Sequence, residues 1–195
     1  GFLICLIAIF GINISKSDSQ FLKIEKILKS NNLSDLKLKP LRKIEFDLTL
    51  KEFNKFTKNF RNKSNKYFFI TRDGRWDGFI SSDTLKTIPI KKWNLKLVGD
   101  YKESFDKFPN ICDNAPLWKI IEEIEKNNQG VLLIVNSIGI PKGLLDRNNI
   151  GYFVLKQLGI NISNDLINKI KSKNNYPLGI ELPKIIELMR SKGEI

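Results

Sequence analysis

The sequence contains no histidine, and this absence excludes several kinds of catalytic site. Without an imidazole there is no Ser-His-Asp triad and no His-based zinc site. Cysteine is nearly absent too: Cys5 and Cys112 lie far apart in unlike contexts, so they form no disulfide framework, and a reducing compartment fits best. We therefore predict that this chain holds neither catalytic residues nor metal ligands.

Arginine is scarce in a chain that is otherwise strongly basic. The net charge is +12, but arginine supplies only 6 of the 33 basic residues and lysine the other 27. Arginine is the better residue for bidentate recognition of phosphates and bases. The charge is therefore interpreted as a lysine-rich solvated surface without a specific nucleic-acid partner, although charge alone leaves non-specific binding open.

The chain opens with the apolar run "GFLICLIAIFGINI", in which Asn13 is the only polar residue. A full membrane span needs about 20 residues, so this run is short. We interpret it as the end of a transmembrane helix that begins before Gly1; the alternative is a buried core helix. Lysines follow the run and predict that this end lies on the cytoplasmic side of a membrane: Lys16, Lys23, Lys26 and Lys29.

Two later segments match each other at an offset of 65 to 67 residues. "DLTLKEFNKF" (47–56) corresponds to "DNAPLWKIIEEI" (113–124), and both carry apolar residues at helical spacing after a candidate cap. Thr49 and Glu52 form a possible capping box in the first segment. Asn114 is the candidate cap in the second, with a proline in the first turn of the helix.

Each matching segment is followed by the same succession of elements. The apolar strands "YFFIT" (67–71) and "VLLIV" (131–135) lead through a short turn to a second strand, which reaches Gly78 or Gly143. Helices from Ser82 to Thr87 and from Arg147 to Leu158 then close the units. The sequence therefore predicts an α+β fold of two β-α-β-β-α repeats, which pack together because neither buries both faces of its sheet alone.

The first repeat carries a motif that resembles the ligand motif of cystathionine-β-synthase (CBS) domains. That motif reads Gly, two apolar residues, Ser or Thr, two variable residues, then Asp or Asn. Gly78 and Ser81 match it, whereas Thr84 stands where the family has the acid or amide. The resemblance covers residues 33 to 160 and implies a tandem CBS pair, often called a Bateman module.

The second repeat matches the same motif with a different departure. Gly143 and Asn149 fit, and Asp146 stands where the family has Ser or Thr. In the family, the acid or amide accepts from ribose hydroxyls and the hydroxyl residue helps to hold a phosphate. The resemblance thus implies an adenosyl ligand, with Asn149 as the better ribose partner and Asp146 repelling a nearby phosphate. We expect each motif glycine to leave room for that ligand.

The order of segments also resembles the C-terminal part of cyanobacterial site-2-type intramembrane zinc proteases. A terminal membrane helix precedes a CBS pair containing "GRWDGFI" and "IPIKKW", and a tail reads "YPLGIELPKII" (176–186). Those proteases bind zinc through His-Glu-x-x-His, which this chain lacks. The resemblance implies that a catalytic, zinc-binding domain lies upstream and that this chain, not catalytic by itself, is the regulatory region of a hydrolase.

These observations predict four segments: a transmembrane helix end with a linker helix (1–30), two CBS repeats (33–93 and 94–160) and a helical tail (161–195). The expected function is to sense an adenosyl ligand, or to hold a homodimer, for a membrane-embedded protease domain. Two alternatives stay open, namely the CBS region of a transporter or channel and a purely structural dimerisation module.

Three other side chains are candidates for ligand contact. Trp76 and Trp93 flank the first motif, where packing between repeats and stacking on an adenine are both possible. Arg147 follows Asp146 directly, so it could neutralise that carboxylate, contact a phosphate or simply be solvated.

Overall fold

A computed structural model describes residues 18–30, 33, 36–60, 66–127, 129–160 and 176–195. The predicted membrane segment at residues 1–14 and residues 161–175 of the predicted helical tail lie outside the described residues. Among the helices that are described, none combines the length and the apolar character that crossing a membrane requires.

The described residues form five α-helices and six strands. In chain order these are α1 (Asp18–Lys29), β1 (Lys43–Glu45), α2 (Leu50–Lys58), β2 (Tyr67–Arg72), β3 (Arg75–Ser81), β4 (Asn110–Cys112), α3 (Leu117–Lys126), β5 (Val131–Val135), β6 (Pro141–Asp146), α4 (Arg147–Gln157) and α5 (Leu182–Ser191). Short 3-10 helices span Ser82–Lys86, Ile90–Lys92, Val98–Tyr101, Phe105–Lys107 and Pro177–Gly179.

The strands form two three-stranded sheets with the same topology. In the order β1-β2-β3, β1 runs parallel to β2 and β2 runs antiparallel to β3; the order β4-β5-β6 repeats both relationships. A helix connects the parallel strands in each case, as a parallel crossover requires. The predicted α+β fold with two β-α-β-β-α repeats is therefore confirmed.

Local sequence signals account for the start of the first repeat. The Thr49 side chain accepts from the amide of Glu52 at 3.3 Å, and the Glu52 carboxylate accepts from the Thr49 amide at 3.0 Å, so the predicted capping box begins α2. The hairpin between β2 and β3 turns at Asp73 and Gly74, whose φ angles of 51° and 74° are both left-handed. Asp-Gly is the residue pair that favours such a two-residue turn.

One predicted helix cap is wrong, and one predicted helix is of a different type. Helix α3 begins at Leu117 with Pro116 at the N-cap position, so Asn114 is not its cap. The helix after β3 is a 3-10 helix that ends at Lys86, because Pro89 soon follows and disfavours helical backbone at the residue before it. The counterpart α4 has no proline and continues to Gln157.

The chain divides into two compact units. The first-repeat unit is Pro40–Pro109 and the second-repeat unit contains the described residues before and after it. In the first-repeat unit, α2 and the 3-10 helix Ser82–Lys86 share a core with the sheet. Phe53 of α2, Phe68 of β2 and Ile80 of β3 lie in this core and are at most 1 % exposed. The sequence repeat predicts different boundaries, with one CBS repeat at 33–93 and the other at 94–160. Those boundaries stay a prediction.

The core of the second-repeat unit includes helices that lie outside the sequence repeat. Ile24 and Leu28 of α1 are buried in the same cluster as Ile120 of α3, Val154 of α4 and Met189 of α5. Helix α1 was expected to be a linker outside the repeats. Its buried face instead makes it part of this core.

Candidate functional site

The motif glycines sit at equivalent places in the two sheets. Gly78 of β3 pairs with Ile70, and Gly143 of β6 pairs with Ile134. In both sheets the register shifts directly after that isoleucine, which marks a bulge. Bulges bend a strand and often occur next to functional sites.

Position 78 requires a residue without a side chain because a neighbouring backbone segment approaches it closely. Phe79 and Glu103 exchange backbone hydrogen bonds of 2.9 and 2.8 Å, which brings Glu103 alongside β3. A Cβ at position 78 would collide with the Glu103 carbonyl oxygen. The close approach of Glu103 is therefore enough to require glycine at position 78, and a role of this glycine in leaving room for a ligand stays a prediction.

The same explanation holds for Gly143. Leu144 and Lys39 exchange backbone hydrogen bonds of 2.9 and 2.8 Å, so the segment before β1 lies against β6. A Cβ at position 143 would lie 2.8 Å from Leu38 Cβ and 2.9 Å from the Lys39 carbonyl oxygen. Both motif glycines thus allow a close approach of two backbone segments.

Ser81, which was predicted to help hold a phosphate, and Asp146, which was predicted to repel one, are the N-caps of the helices that follow. Ser81 Oγ accepts from the amide of Asp83 at 3.2 Å. Asp146 Oδ1 accepts from the amide of Asn149 at 3.0 Å, and its other carboxylate oxygen pairs with the Lys39 ammonium. Because Lys39 compensates the charge of Asp146, the predicted repulsion of a phosphate is weaker than the sequence alone implied.

Asn149 lies in the first turn of α4 with one side of its amide engaged. Its side-chain NH₂ donates to the Lys37 carbonyl oxygen at 3.1 Å, which fixes the orientation of the amide. Its Oδ1 is buried and has no hydrogen-bond partner among the described residues. An acceptor in that position can take a hydrogen bond from a ligand hydroxyl.

Thr84 is held in a different setting from Asn149. It lies half-buried in a five-residue 3-10 helix rather than in the first turn of an α-helix. Its carbonyl oxygen accepts from both the amide and the hydroxyl of Thr87, at 3.1 and 2.8 Å. The two motif sites therefore match in sequence more closely than in geometry.

Sequence reasoning did not single out the acidic residue next to Thr84. Asp83 accepts from Lys66 and Lys86 at 2.6 Å each. These hydrogen bonds, first from Lys66 and then from Lys86, hold the pKa of Asp83 below its ordinary value. The acid directly after "SS" was the available signal, but it falls one position before the motif's acidic place.

Two further polar side chains were missed in the second repeat. Asn148 and Gln129 have buried side-chain oxygens without a hydrogen-bond partner among the described residues, as Asn149 does. Unpaired buried acceptors are uncommon in native proteins and call for an explanation. The run "RNN" at the start of α4 was the local signal for Asn148.

Arg147 binds a carboxylate other than Asp146. Its guanidinium donates to both oxygens of Glu125 at 2.8 and 3.1 Å, and the Tyr176 hydroxyl donates to the same carboxylate at 2.9 Å. Burial alone would raise the pKa of Glu125, but these two hydrogen bonds outweigh it and lower the pKa. The predicted roles of Arg147 toward Asp146 or a phosphate are not those that the structure gives it.

Trp76 and Trp93 both pack within the first-repeat unit. Trp93 Nε1 donates to the Ile88 carbonyl oxygen at 3.0 Å, and the ring lies against the core of the first-repeat unit. Trp76 contacts Phe69 and Phe105 with ring centroids 6.4 and 6.0 Å apart. These contacts favour packing over adenine stacking for both residues.

Across the described residues, no three potential metal ligands lie close enough together to bind an ion.

Comparison with solved structures identifies the fold. The CBS domain of a bacterial CNNM/CorC family Mg²⁺ transporter matches 83% of this chain and 96% of its own, with 14% identity and a TM-score of 0.55. That domain in complex with ATP matches 73% and 96% of the two chains, with 12% identity and a TM-score of 0.54. CbpB in complex with c-di-AMP matches 73% and 96%, with 14% identity and a TM-score of 0.54.

No protein-family model matches the chain, and no curated protein sequence matches it either. The likeness to solved structures, together with the two sheets of identical topology, shows that the chain folds as a tandem CBS module. The membrane helix that was expected to precede the module falls on residues outside the description.

Proposed function

We propose that this chain is a regulatory module that binds an adenine nucleotide through its second repeat. The observation that carries the proposal is the Asn149 amide, whose NH₂ is fixed to the Lys37 carbonyl oxygen and whose buried Oδ1 has no partner among the described residues. A ribose hydroxyl would supply the missing donor. An unpaired buried acceptor costs about 1–3 kcal/mol, so filling it favours the bound state.

The ligand class follows from the fold and the local charge. Two structures with this fold are complexes of ATP and of c-di-AMP, which share an adenosyl group. Asp146, which lies near Asn149, forms an ion pair with Lys39 and so compensates the lysine's positive charge. The site therefore favours an adenosyl ligand with few phosphates over one with a long polyphosphate chain, because little uncompensated positive charge remains there.

Binding can regulate a partner only if the ligand favours one of two arrangements of the module. Asn149 lies in the first turn of α4, whose later residues contribute to the core that α1 and α5 share. A ligand held at the start of α4 thus acts on a helix that shares its hydrophobic core with the first and last helices of the described chain. A homodimer is the expected assembly in which such a change would be transmitted.

The partner that we propose is an upstream, membrane-embedded, site-2-type zinc protease domain, with the module on the cytoplasmic side. The support is the order of segments in the sequence, and zinc would belong to that domain. The alternative is the regulatory region of a transporter or channel, which the fold likeness to a transporter CBS domain favours. A module that only holds a dimer is the third possibility.

Calorimetry tests the ligand proposal directly. We expect at least one of AMP, ADP, ATP, S-adenosylmethionine and c-di-AMP to bind the wild-type chain more tightly than millimolar. Asn149→Ala should weaken that binding by about tenfold or more, because a ribose hydroxyl loses its acceptor. The thermal midpoint should change little, since the lost hydrogen bond to Lys37 is at the surface.

Two variants serve as controls. Asn149→Asp retains two acceptor oxygens and should keep more of the affinity than Asn149→Ala. Thr84→Ala in the first repeat should have a milder effect. The proposal is wrong if none of the five compounds binds below millimolar, or if Asn149→Ala binds as the wild type does.

A further inference from the structure

The two repeats differ in the chain that follows the motif. In the second repeat, α4 continues to Gln157, and its residues Phe153 and Val154 are 7 % and 0 % exposed. In the first repeat, the 3-10 helix after β3 ends at Lys86, and a mostly irregular segment, the 87–97 loop, follows it. Most residues of this loop are exposed. The same position of the repeat is therefore buried in one unit and largely exposed in the other.

The 87–97 loop exposes aliphatic surface. Ile90 is 74 % exposed and Leu95 is 82 % exposed, and in the described part of the first-repeat unit they are the only large apolar side chains that are exposed. Apolar residues that are exposed singly are common on protein surfaces and need no explanation. Two of them on one loop, at a place where the other repeat packs into a core, indicate a surface that contacts something else.

Lysines surround these two side chains. Between positions 84 and 99 the sequence contains four lysines and no acidic residue. One of the four, Lys86, pairs with Asp83. The other three are exposed and have no ion-pair partner among the described residues: Lys91, Lys92 and Lys96. The loop therefore combines aliphatic side chains with positive charges that no carboxylate of the described chain compensates.

Hydrogen bonds hold the loop in place. The carbonyl oxygens of Trp93 and Lys96 accept from the amides of Lys51 and Leu50 at 3.1 and 2.9 Å, which attaches the loop to the start of α2. Trp93 Nε1 donates to the Ile88 carbonyl oxygen at 3.0 Å, and the indole ring packs against the core of the unit. The exposed side chains are thus presented by an ordered backbone, so a contact made by them costs little loop ordering.

Lysines beside exposed aliphatic side chains match the surface of an anionic membrane. Ammonium groups are attracted to anionic lipid headgroups, and aliphatic side chains enter the boundary between headgroups and acyl chains. A nucleic acid fits this surface less well, because its phosphates and bases are bound best by arginine and by stacked aromatic rings. The loop contains no arginine, and its tryptophan ring is engaged in the core.

We propose that the 87–97 loop binds the surface of an anionic lipid bilayer, with its two exposed aliphatic side chains at the level of the headgroups and its unpaired lysines against anionic lipids. The inference concerns the first-repeat unit and does not depend on nucleotide binding at Asn149. It also does not depend on the predicted membrane segment at residues 1–14, because the contact is made by a different part of the chain.

A tryptophan placed in the loop reports the contact locally in the full chain. Leu95→Trp puts an indole ring at an exposed loop position, and Ile138→Trp does the same at a 76 % exposed position between β5 and β6 of the second-repeat unit. Fluorescence emission is recorded as the difference from the wild type, with vesicles of phosphatidylcholine alone and with vesicles that also contain phosphatidylserine. We expect a blue shift for Leu95→Trp with phosphatidylserine only, and none for Ile138→Trp, because an indole ring among headgroups leaves water.

Charge variants in the Leu95→Trp background test the role of the lysines. Lys91→Gln combined with Lys92→Gln should raise the lipid concentration that gives half of the shift by about tenfold or more, since each lysine near an anionic surface adds to the attraction. Lys119→Gln combined with Lys156→Gln is the matched control. It removes the same charge from two exposed lysines of the second-repeat unit and should leave that concentration nearly unchanged.

Ile90→Trp is a second probe of the loop and replaces Leu95→Trp if that variant lowers the thermal midpoint. A DNA duplex and poly-glutamate are titrated as soluble polyanions without acyl chains. A blue shift that needs phosphatidylserine and is weakened by the loop lysine variant alone supports the inference. The inference is overturned if neither probe shifts, if phosphatidylcholine alone or a soluble polyanion gives the same shift, if Ile138→Trp shifts equally, or if the two charge variants behave alike.

Discussion

Gly143 shows how a single position serves the packing of the module. Leu38 and Lys39 lie so close to β6 that a methyl group at position 143 would have no space. Backbone hydrogen bonds between Lys39 and Leu144 fix that approach. Glycine is therefore required here by the protein itself, before any ligand is considered.

This reasoning predicts that Gly143→Ala destabilises the ligand-free protein. Relief of the contact requires a backbone shift, so we expect the free energy of unfolding to fall by about 1–3 kcal/mol. Urea denaturation without ligand measures the change. Ser137→Ala, an exposed substitution in the adjacent turn, should change it by less than about 0.5 kcal/mol. Unchanged stability of Gly143→Ala combined with lost nucleotide binding would instead favour a glycine that makes room for a ligand.

Asp146 has two separable roles at the residue scale. Its carboxylate caps α4 by accepting from Asn149, and it pairs with Lys39. Asn is also a good N-cap, so Asp146→Asn keeps the cap and removes the ion pair, whereas Asp146→Ala removes both. We expect Asp146→Ala to lower the free energy of unfolding by about 1–2 kcal/mol through the cap alone. Equal losses in the two variants, measured by urea denaturation, would show that the cap contributes nothing.

At the scale of elements, the order of strands and helices could be predicted because its signals are local. The Thr49–Glu52 capping box and the Asp73–Gly74 turn each lie within a few residues, and both are confirmed. The pairing of Tyr176 with Glu125 could not be predicted, because the two residues are 51 positions apart and no local pattern records the contact. For the same reason, the pairing of Arg147 with Glu125 was not among the roles that the sequence suggested for it.

The C-terminal segment is attached to the second repeat by the Tyr176 hydroxyl, a group that can be removed alone. Tyr176→Phe keeps the ring, which is buried, and deletes the hydrogen bond to Glu125. Hydrogen bonds to charged groups contribute about 1.5–3 kcal/mol, so a loss of about that size is expected. Hydrogen exchange of α5 amides should accelerate in the variant, and unchanged protection would contradict the attachment.

The same contact predicts loosening in acid. The pKa of Glu125 is lowered in the folded protein, because hydrogen bonds from Arg147 and Tyr176 outweigh its burial. A lowered pKa adds stability above the unfolded value of about 4.3, and this stability is lost as the pH falls through the lower folded pKa. Protection of α5 should therefore decrease below about pH 4.3. Glu125→Gln should reduce that pH dependence, while Glu123→Gln, on the same helix but paired with Lys126, should retain it.

At the scale of the whole molecule, the module is larger than its sequence repeat. Helix α1 precedes the repeat and α5 follows it, yet both contribute buried side chains to the core of the second-repeat unit. The sequence showed the apolar face of α1 but not the residues that cover it. Amphipathic spacing predicts that a helix face is buried, but it does not identify the element that packs against that face. Two exposed ion pairs add to these contacts: Lys29 of α1 pairs with Glu194, just beyond α5, and Arg190 of α5 pairs with Glu122 of α3.

The core therefore sets a limit on how far the N-terminus can be shortened. Removal of residues 1–14 should leave a folded module, because every buried residue of α1 stays in place. Removal of residues 1–30 deletes Ile24 and Leu28, which are 2 % and 0 % exposed, and leaves a cavity lined by apolar residues of α3 and α5. Each lost aliphatic side chain costs about 2–5 kcal/mol, so the longer deletion should unfold the second-repeat unit or make it aggregate.

Thermal unfolding monitored by circular dichroism compares the two truncations. A cooperative transition in the longer truncation at the temperature of the shorter one would show that α1 is a linker, whereas unfolding of both would place residues 1–14 in the core rather than in a membrane.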